Sequence, residues 1–234
     1  MFGRYDYTFQ IDDGGIKAGI ERRDGLYCYR RTCGEKRFER LLASESGGII
    51  VNPVEPVNLP KEITNFLLIE FDPVLVEPGS VNRFYLTFPV EIGVFVESKR
   101  DIEVLDIIGL DHQKYTLYGP ASGGVIARWY KSKIYPDIPE VHPLMEGVME
   151  LTIRNTYREW VTVSQAVFES YDMKLYYNDI VSMTAQMRII TKNQAETDFL
   201  DTPLKPGMKK SIELYTARGI PSIKKGFLME WGLA

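Results

Sequence analysis

Residues 71–97 read FDPVLVEPGSVNRFYLTFPVEIGVFVE, and this stretch decides the fold class. Short runs of β-branched and aromatic residues are cut by Asp72-Pro73, by Glu77-Pro78-Gly79-Ser80 and by Pro89. Such residues pack well on a pleated surface, while Pro and Gly end or turn a strand. The rhythm extends outward in both directions. Ile63–Phe71 (ITNFLLIEF) precedes it, and it returns at Val148–Ile153, Trp160–Phe168, Lys174–Tyr177 and Met183–Thr191. Many short strands with frequent turn signals predict stacked sheets or a barrel.

The Pro-rich strand start and Pro-Gly turn resemble the first half of an immunoglobulin-like sandwich. Nearer the N-terminus, Asp12-Asp13-Gly14-Gly15 and Asp24-Gly25 are hairpin signals. They predict a meander over Tyr5–Ile11, Ile16–Arg22, Leu26–Arg31 and Arg37–Leu42. Ile49–Asn58 (IIVNPVEPVN) holds two prolines and reads as an edge strand or a crossing segment. Ile134–Leu144 (IYPDIPEVHPL) holds three and reads as a connection. Ser211–Thr216 and Phe227–Trp231 are the last strand candidates. The expectation is an all-β protein with few or no long helices. It has two packed β-sandwich halves, 1–133 and 145–234, joined by a Pro-rich connection at 134–144. One continuous large sandwich is the alternative.

Composition narrows the function. The chain has 234 residues and a formal net charge of −4, poor footing for nucleic-acid binding, which works by displacing counterions from phosphate. Residues 17–40 are locally basic, with Lys17, Arg22, Arg23, Arg30, Arg31, Lys36, Arg37 and Arg40. A solvated hairpin surface is the plain reading, and an anion or acidic-lipid patch the other. The polar N-terminus, MFGRYDYTFQIDDGG, has no apolar signal core. No stretch approaches the ~20 apolar residues that span a bilayer. The expectation is a soluble, cytoplasmic protein.

Chemistry-bearing motifs are sparse. Cys28 and Cys33 are the only cysteines, at a spacing that suits neither a zinc site nor a CxxC redox pair. LYCYRRTCGE reads as two strands joined by Arg30-Arg31-Thr32, which leaves a cross-strand disulfide and two free thiols both open. Of the two histidines, His112 and His142, neither sits beside a nucleophile. Ser122 lies in a glycine loop, Tyr118-Gly119-Pro120-Ala121-Ser122-Gly123-Gly124, that is not a G-x-S-x-G elbow. A strand rather than a helix follows it, so a hairpin turn is favoured over a phosphate loop. No catalytic residue, metal ligand or cofactor is assigned. The densest aromatic–cationic group is Arg128-Trp129-Tyr130-Lys131 with Tyr115 and Tyr118 nearby. Tyr118, Arg128, Trp129, Tyr130 and His112 are therefore the candidate ligand- or partner-binding residues. If exposed, such a set stacks on a sugar or receives an anionic partner. In the plainer reading Trp129 fills the core, while Arg128 and Lys131 reach solvent.

The opening MFGRY, the segment KYTLYGPASGGVIARWYKS and the hairpin EGVMELTIRNTYREWVTV resemble an archaeal family of uncharacterised proteins (DUF432-like) over the whole chain. That family has no assigned activity, so none carries over. Its members are sometimes encoded beside small mechanosensitive-channel proteins, which implies a possible membrane-protein partner. Taken together, the expectation is a non-enzymatic protein-interaction module or adaptor, with a protein partner or self-association. A carbohydrate- or small-ligand-binding sandwich is the alternative, and an enzyme of unrecognised type the third.

Overall fold

Three tight turns build the first sheet of the computed structural model, which describes residues 1–43, 47–57, 63–98, 101–219 and 226–234. After β1 (Gly3–Tyr5) come β2 (Gln10–Asp13), β3 (Ile16–Arg23), β4 (Leu26–Cys33) and β5 (Lys36–Leu42). Gly14 and Gly15 have φ of 58° and 81°, and Asp24 and Gly25 have 52° and 85°. Positive φ at both central residues matches the right-handed twist of a two-residue hairpin. Gly34, at φ 56°, opens the third turn. The four strands pair in sequence order as an antiparallel meander, as the turn residues predict.

The remaining strands are β6 (Gly48–Val54), β7 (Phe66–Val76), β8 (Val81–Pro89), β9 (Glu91–Glu97), β10 (Ile102–Gly109), β11 (Lys114–Tyr118), β12 (Val125–Lys131), β13 (Glu146–Asn155), β14 (Val161–Glu169), β15 (Tyr176–Tyr177), β16 (Val181–Thr191), β17 (Gln194–Leu200) and β18 (Lys209–Lys210). One helical turn, α1 (Leu214–Ala217), precedes β19 (Phe227–Met229). The fold is all-β with packed sheets, as expected.

Two sandwiches result. The meander lays Phe9, Ile16, Ala18, Ile20 and Tyr29 against Ile49, Val51, Ile92, Val94, Leu105 and Ile108 of the sheet β1-β6-β9-β10. In the larger sandwich, the sheet β11-β12-β7-β14 faces a seven-stranded sheet built on β15-β16-β13-β8 and β17. Leu67, Ile69, Phe168, Leu86, Phe88, Met149, Leu151 and Met187 fill the space between them. Met149, Leu151 and Ile153 face this core, as the alternation of β13 predicts, while Glu150 and Thr152 are only half-buried. Strand pairing crosses residues 134–144: β7 pairs β14 and β8 pairs β13. Two pairs are parallel, β12 with β7 and β13 with β16. The chain thus visits the small sandwich, the large one (β7–β8), the small one again (β9–β10), and then the large one.

Four local expectations are corrected. Asp72-Pro73 does not end a strand; β7 runs through it. The register against β14 jumps between Val163 and Gln165, so Phe71–Pro73 oppose Ser164 alone. A bulge of this type frees proline from the ladder. Ile49–Val54 is not an edge, because β6 lies between β1 and β9. The short β1 pairs only Ile49–Val51, so Pro53 sits where β6 has one partner. Asn58 lies outside the described residues. LYCYRRTC is one strand with its turn at Gly34-Glu35, and both thiols are free. Residues five apart on one strand are about 16 Å apart and point to opposite faces, far beyond disulfide reach. Ser211–Thr216 gives a helical turn rather than a strand. A single turn is unstable by itself. It is held by Asn52, whose Oδ1 accepts from Ile212 N at 3.0 Å, and by Glu55, whose carboxylate accepts from Leu214 N at 3.1 Å. Leu214 then seals Ile50, Val54, Phe95 and Ile107 on the back of the β6–β9–β10 sheet.

Candidate functional site

The five sequence-singled residues do not converge on one concavity. Tyr118 is buried, and its hydroxyl bonds the backbone of Glu230 and Trp231. Trp129 is half-buried; its Nε1 donates to Glu70 at 2.9 Å and Lys114 sits 5.5 Å from its ring. Tyr130 donates to Glu146 and contacts Thr87 at 3.2 Å. Burial, then the Glu146 hydrogen bond, pushes its phenol up. Of the plainer reading, Lys131 reaches solvent and Trp129 packs, half-buried, against the large core, but Arg128 is the buried member, at 2% exposure.

Arg128 is buried because it meets Glu91 at the seam between the sandwiches. Glu91 opens β9 in one sandwich and Arg128 lies on β12 in the other. Gln113 Nε2 donates to Glu91 Oε1 at 2.8 Å, and Tyr115 donates to Gln113 Oε1 at 2.5 Å. A second buried pair ties the meander down. Arg31 Nε and a terminal nitrogen donate to Asp106 at 2.9 and 3.3 Å, and Tyr29 donates to the same carboxylate at 3.1 Å. Burial, and then the Asp106 charge, raises the Tyr29 phenol. Between the two pairs opens a cleft of about 310 Å³ lined by Arg31, Cys33, Lys36, Asp111, His112 and Gln113.

A third charged cluster surrounds α1. Lys174 Nζ lies 2.8 Å from Glu213 and 3.2 Å from Asp172, and Lys210 lies 2.8 Å from Asp201 and 3.3 Å from Glu213. Burial alone would lower both lysines and raise Glu213, but the hydrogen bonds and opposite charges win. Lys174 and Lys210 titrate above their ordinary value, and Glu213 below its own. These shifts move each group away from neutral pH, the opposite of what a general acid or base needs. Glu55 is the exception: burial pushes its carboxyl up to about 8, but both oxygens face Leu214 N in the interior. No group of three or more His, Cys, Asp or Glu arranged to hold a metal occurs among the described residues. Nor does any described helix have the length and apolarity to cross a membrane.

The feature that sequence reading missed is one end of the large sandwich. Register places Leu75 opposite Thr162, Val81 opposite Arg154, and Asn155 opposite Ile189, so three connections meet there. Asn155 is fully buried and knits them. Its Nδ2 donates to Val76 O at 3.1 Å and to Glu159 O at 2.9 Å, and its Oδ1 accepts from Tyr157 N at 2.9 Å. Its backbone also bonds Gly79 and Ser80. On this braced rim Leu75, Val81, Trp160 and Ile190 stand 60%, 54%, 53% and 36% exposed, amid exposed Arg154, Arg158 and Lys192. A signal was present. Trp160 is in phase with Thr162 and Ser164, the polar side of β14, while Val161 and Val163 point inward.

No curated protein and no solved structure matches the chain. Residues 1–230 match a family described as "Protein of unknown function (DUF432)", and the chain belongs to that family.

Proposed function

We propose that the protein is a non-enzymatic interaction module that docks a protein partner through the rim of Leu75, Val81, Trp160 and Ile190. The observation carrying this is a set of large exposed apolar side chains at one end of the large sandwich, Trp160 on a connection and Leu75, Val81 and Ile190 at the strand ends around the buried Asn155. An exposed apolar set on a preorganised frame is costly to keep in water and suits a hot spot. The interior supports the reading, since its accessible charges are spent on one another. The partner is another protein or a second copy of this chain, and family resemblance suggests a membrane channel. The reading puts the chain in the cytoplasm, where Cys28 and Cys33 stay reduced. A photo-crosslinking residue at Arg158, in cells of the source organism, should give a discrete adduct or a dimer. The Leu75→Ser/Trp160→Ser variant should lose it. An unchanged adduct pattern in that variant rejects the rim.

A second reading rests on the seam cleft. Its volume, about 310 Å³, is that of a small-molecule site; Arg31 there is held by Asp106, which leaves Lys36 and His112 to meet a small anion beside Asp111. A thermal-shift screen of small anions checks it; no shift at millimolar concentration excludes it.

A further inference from the structure

Residues 227–234 cross from one sheet of the large sandwich to the other. β19 pairs with β17 in the seven-stranded sheet, and Leu233 then bridges Val163 on β14 of the facing sheet. Thr162 N donates to Ala234 O at 2.6 Å and Ala234 N to Thr162 O at 3.0 Å. Tyr118 reads the strap's main chain: its hydroxyl accepts from Glu230 N and Trp231 N at 3.1 Å and donates to Trp231 O at 3.0 Å. The two rings meet edge-on at 5.5 Å. Two glycines set what fits. A Cβ on Gly119 would lie 3.0 Å from the Trp231 ring, and one on Gly232, at φ 90°, would lie 2.0 Å from Gln165 Nε2. The place therefore takes an aromatic residue, then glycine, then an aliphatic one, in a run that bends at the glycine.

Main-chain pairing at a sheet edge, with side-chain pockets for identity, is how peptides are captured by strand addition. The strap is lightly held for such a site. Met229 anchors β19 in the large core, but the end beyond it, Glu230–Ala234, is mostly exposed and makes one bridge on β14, against eight register pairs between β14 and β7. We propose that the groove between Tyr118 and the β14 edge is a peptide-binding site. It takes an aromatic-Gly-aliphatic segment of a partner protein, bent at the glycine, and Glu230–Ala234 occupies it at rest as a built-in competitor. This inference stands on the strap's contacts alone and does not use the Trp160 rim.

A tethered strap acts at an effective concentration on the order of millimolar, so a free peptide gains entry only when the strap is weakened. The probe is a fluorescein-labelled peptide, GFLMEWGLA, identical to residues 226–234. Titrated into full-length protein, it should bind the Gly232→Val chain at least about tenfold tighter than the wild type. The same peptide carrying Gly232→Val should not bind. Adding Tyr118→Phe to the Gly232→Val chain should weaken binding by about tenfold, the loss of one well-placed hydroxyl. Near-UV dichroism reports whether each variant is folded. Trp231→Ala, which trims a side chain 42% exposed, replaces Gly232→Val should that chain unfold. Absence of saturable binding to the folded strap variants overturns the proposal, as does equal binding of the glycine and valine peptides.

Discussion

Among the described residues, the small sandwich buries 12 apolar residues in its core and the large one 31. The small one compensates with charge. Arg31, Asp106 and Tyr29 form a buried clamp between the meander and β10, and Arg40 reaches the Val104 carbonyl from the neighbouring edge at 3.2 Å. The large one has buried charge too, Lys174 between Asp172 and Glu213, but relies chiefly on interdigitated side chains, and its buried Asn155 holds an exposed rim in place. An apolar core degrades gradually as it is trimmed, whereas a buried polar clamp fails at once when one partner goes. The region with less apolar burial therefore leans more heavily on single charges, and the region with more has the core to offset the cost of exposed apolar side chains.

The sharpest way to break the contrast is at the seam, where the two regions share one ion pair. Arg128→Ala leaves the Glu91 carboxylate buried and unpaired and should cost about 3–5 kcal/mol in denaturant unfolding. The joint change Arg128→Met/Glu91→Leu should recover most of that loss, since apolar replacement of a buried pair is often neutral. A double variant as unstable as the single one would show that the seam depends on the charges themselves.

Glu55 gives the next effect, through pH. Its folded-state pKa of about 8 stands above the ordinary 4.5, so the folded chain holds a proton that the unfolded chain has released. The associated stability is fully present below about pH 4.5 and is lost as pH rises to about 8, on the order of a few kcal/mol across that window. Glu55→Gln keeps an acceptor for Leu214 N and should flatten this stretch of the stability profile. An unchanged slope would place the proton elsewhere.

Arg31→Met should cost about 2–3 kcal/mol by orphaning Asp106. Amide exchange should quicken across β2–β5 and stay slow in β13 and β16. Uniform acceleration would mean that the two sandwiches unfold as one unit. The smallest effect is expected at the rim. Leu75→Ser/Trp160→Ser should change stability by no more than about 0.5 kcal/mol per site while abolishing the crosslinked adduct.

These regions also differ in how far the sequence reveals them. The meander is legible because every link is local: Gly14-Gly15 and Asp24-Gly25 dictate both turn and register. The large sandwich is not, because period-two alternation tells which face of β13 points inward but not that its neighbours are β8 and β16. Pro73 and Pro53 misled for a related reason. Proline forbids a donor, and whether a donor is needed depends on a bulge in β14 or on the shortness of β1, neither of which is written nearby. Arg128 misled because a buried arginine needs a distant carboxylate, and Glu91 is 37 residues away. The Trp160 rim, by contrast, was readable from its phase against Val161 and Val163.

The to-and-fro path of the chain has a consequence for biosynthesis. The meander leaves the ribosome first and can close its three hairpins unaided. Of the strands that cover its apolar face, β6 follows directly, but β9 and β10 are made only after β7 and β8, a delay on the order of seconds at ordinary translation speed. During that interval the apolar face of Phe9, Ile16, Ile20 and Tyr29 is only partly covered. A nascent-chain stall near residue 70 is where a holdase chaperone would find its best target on this polypeptide.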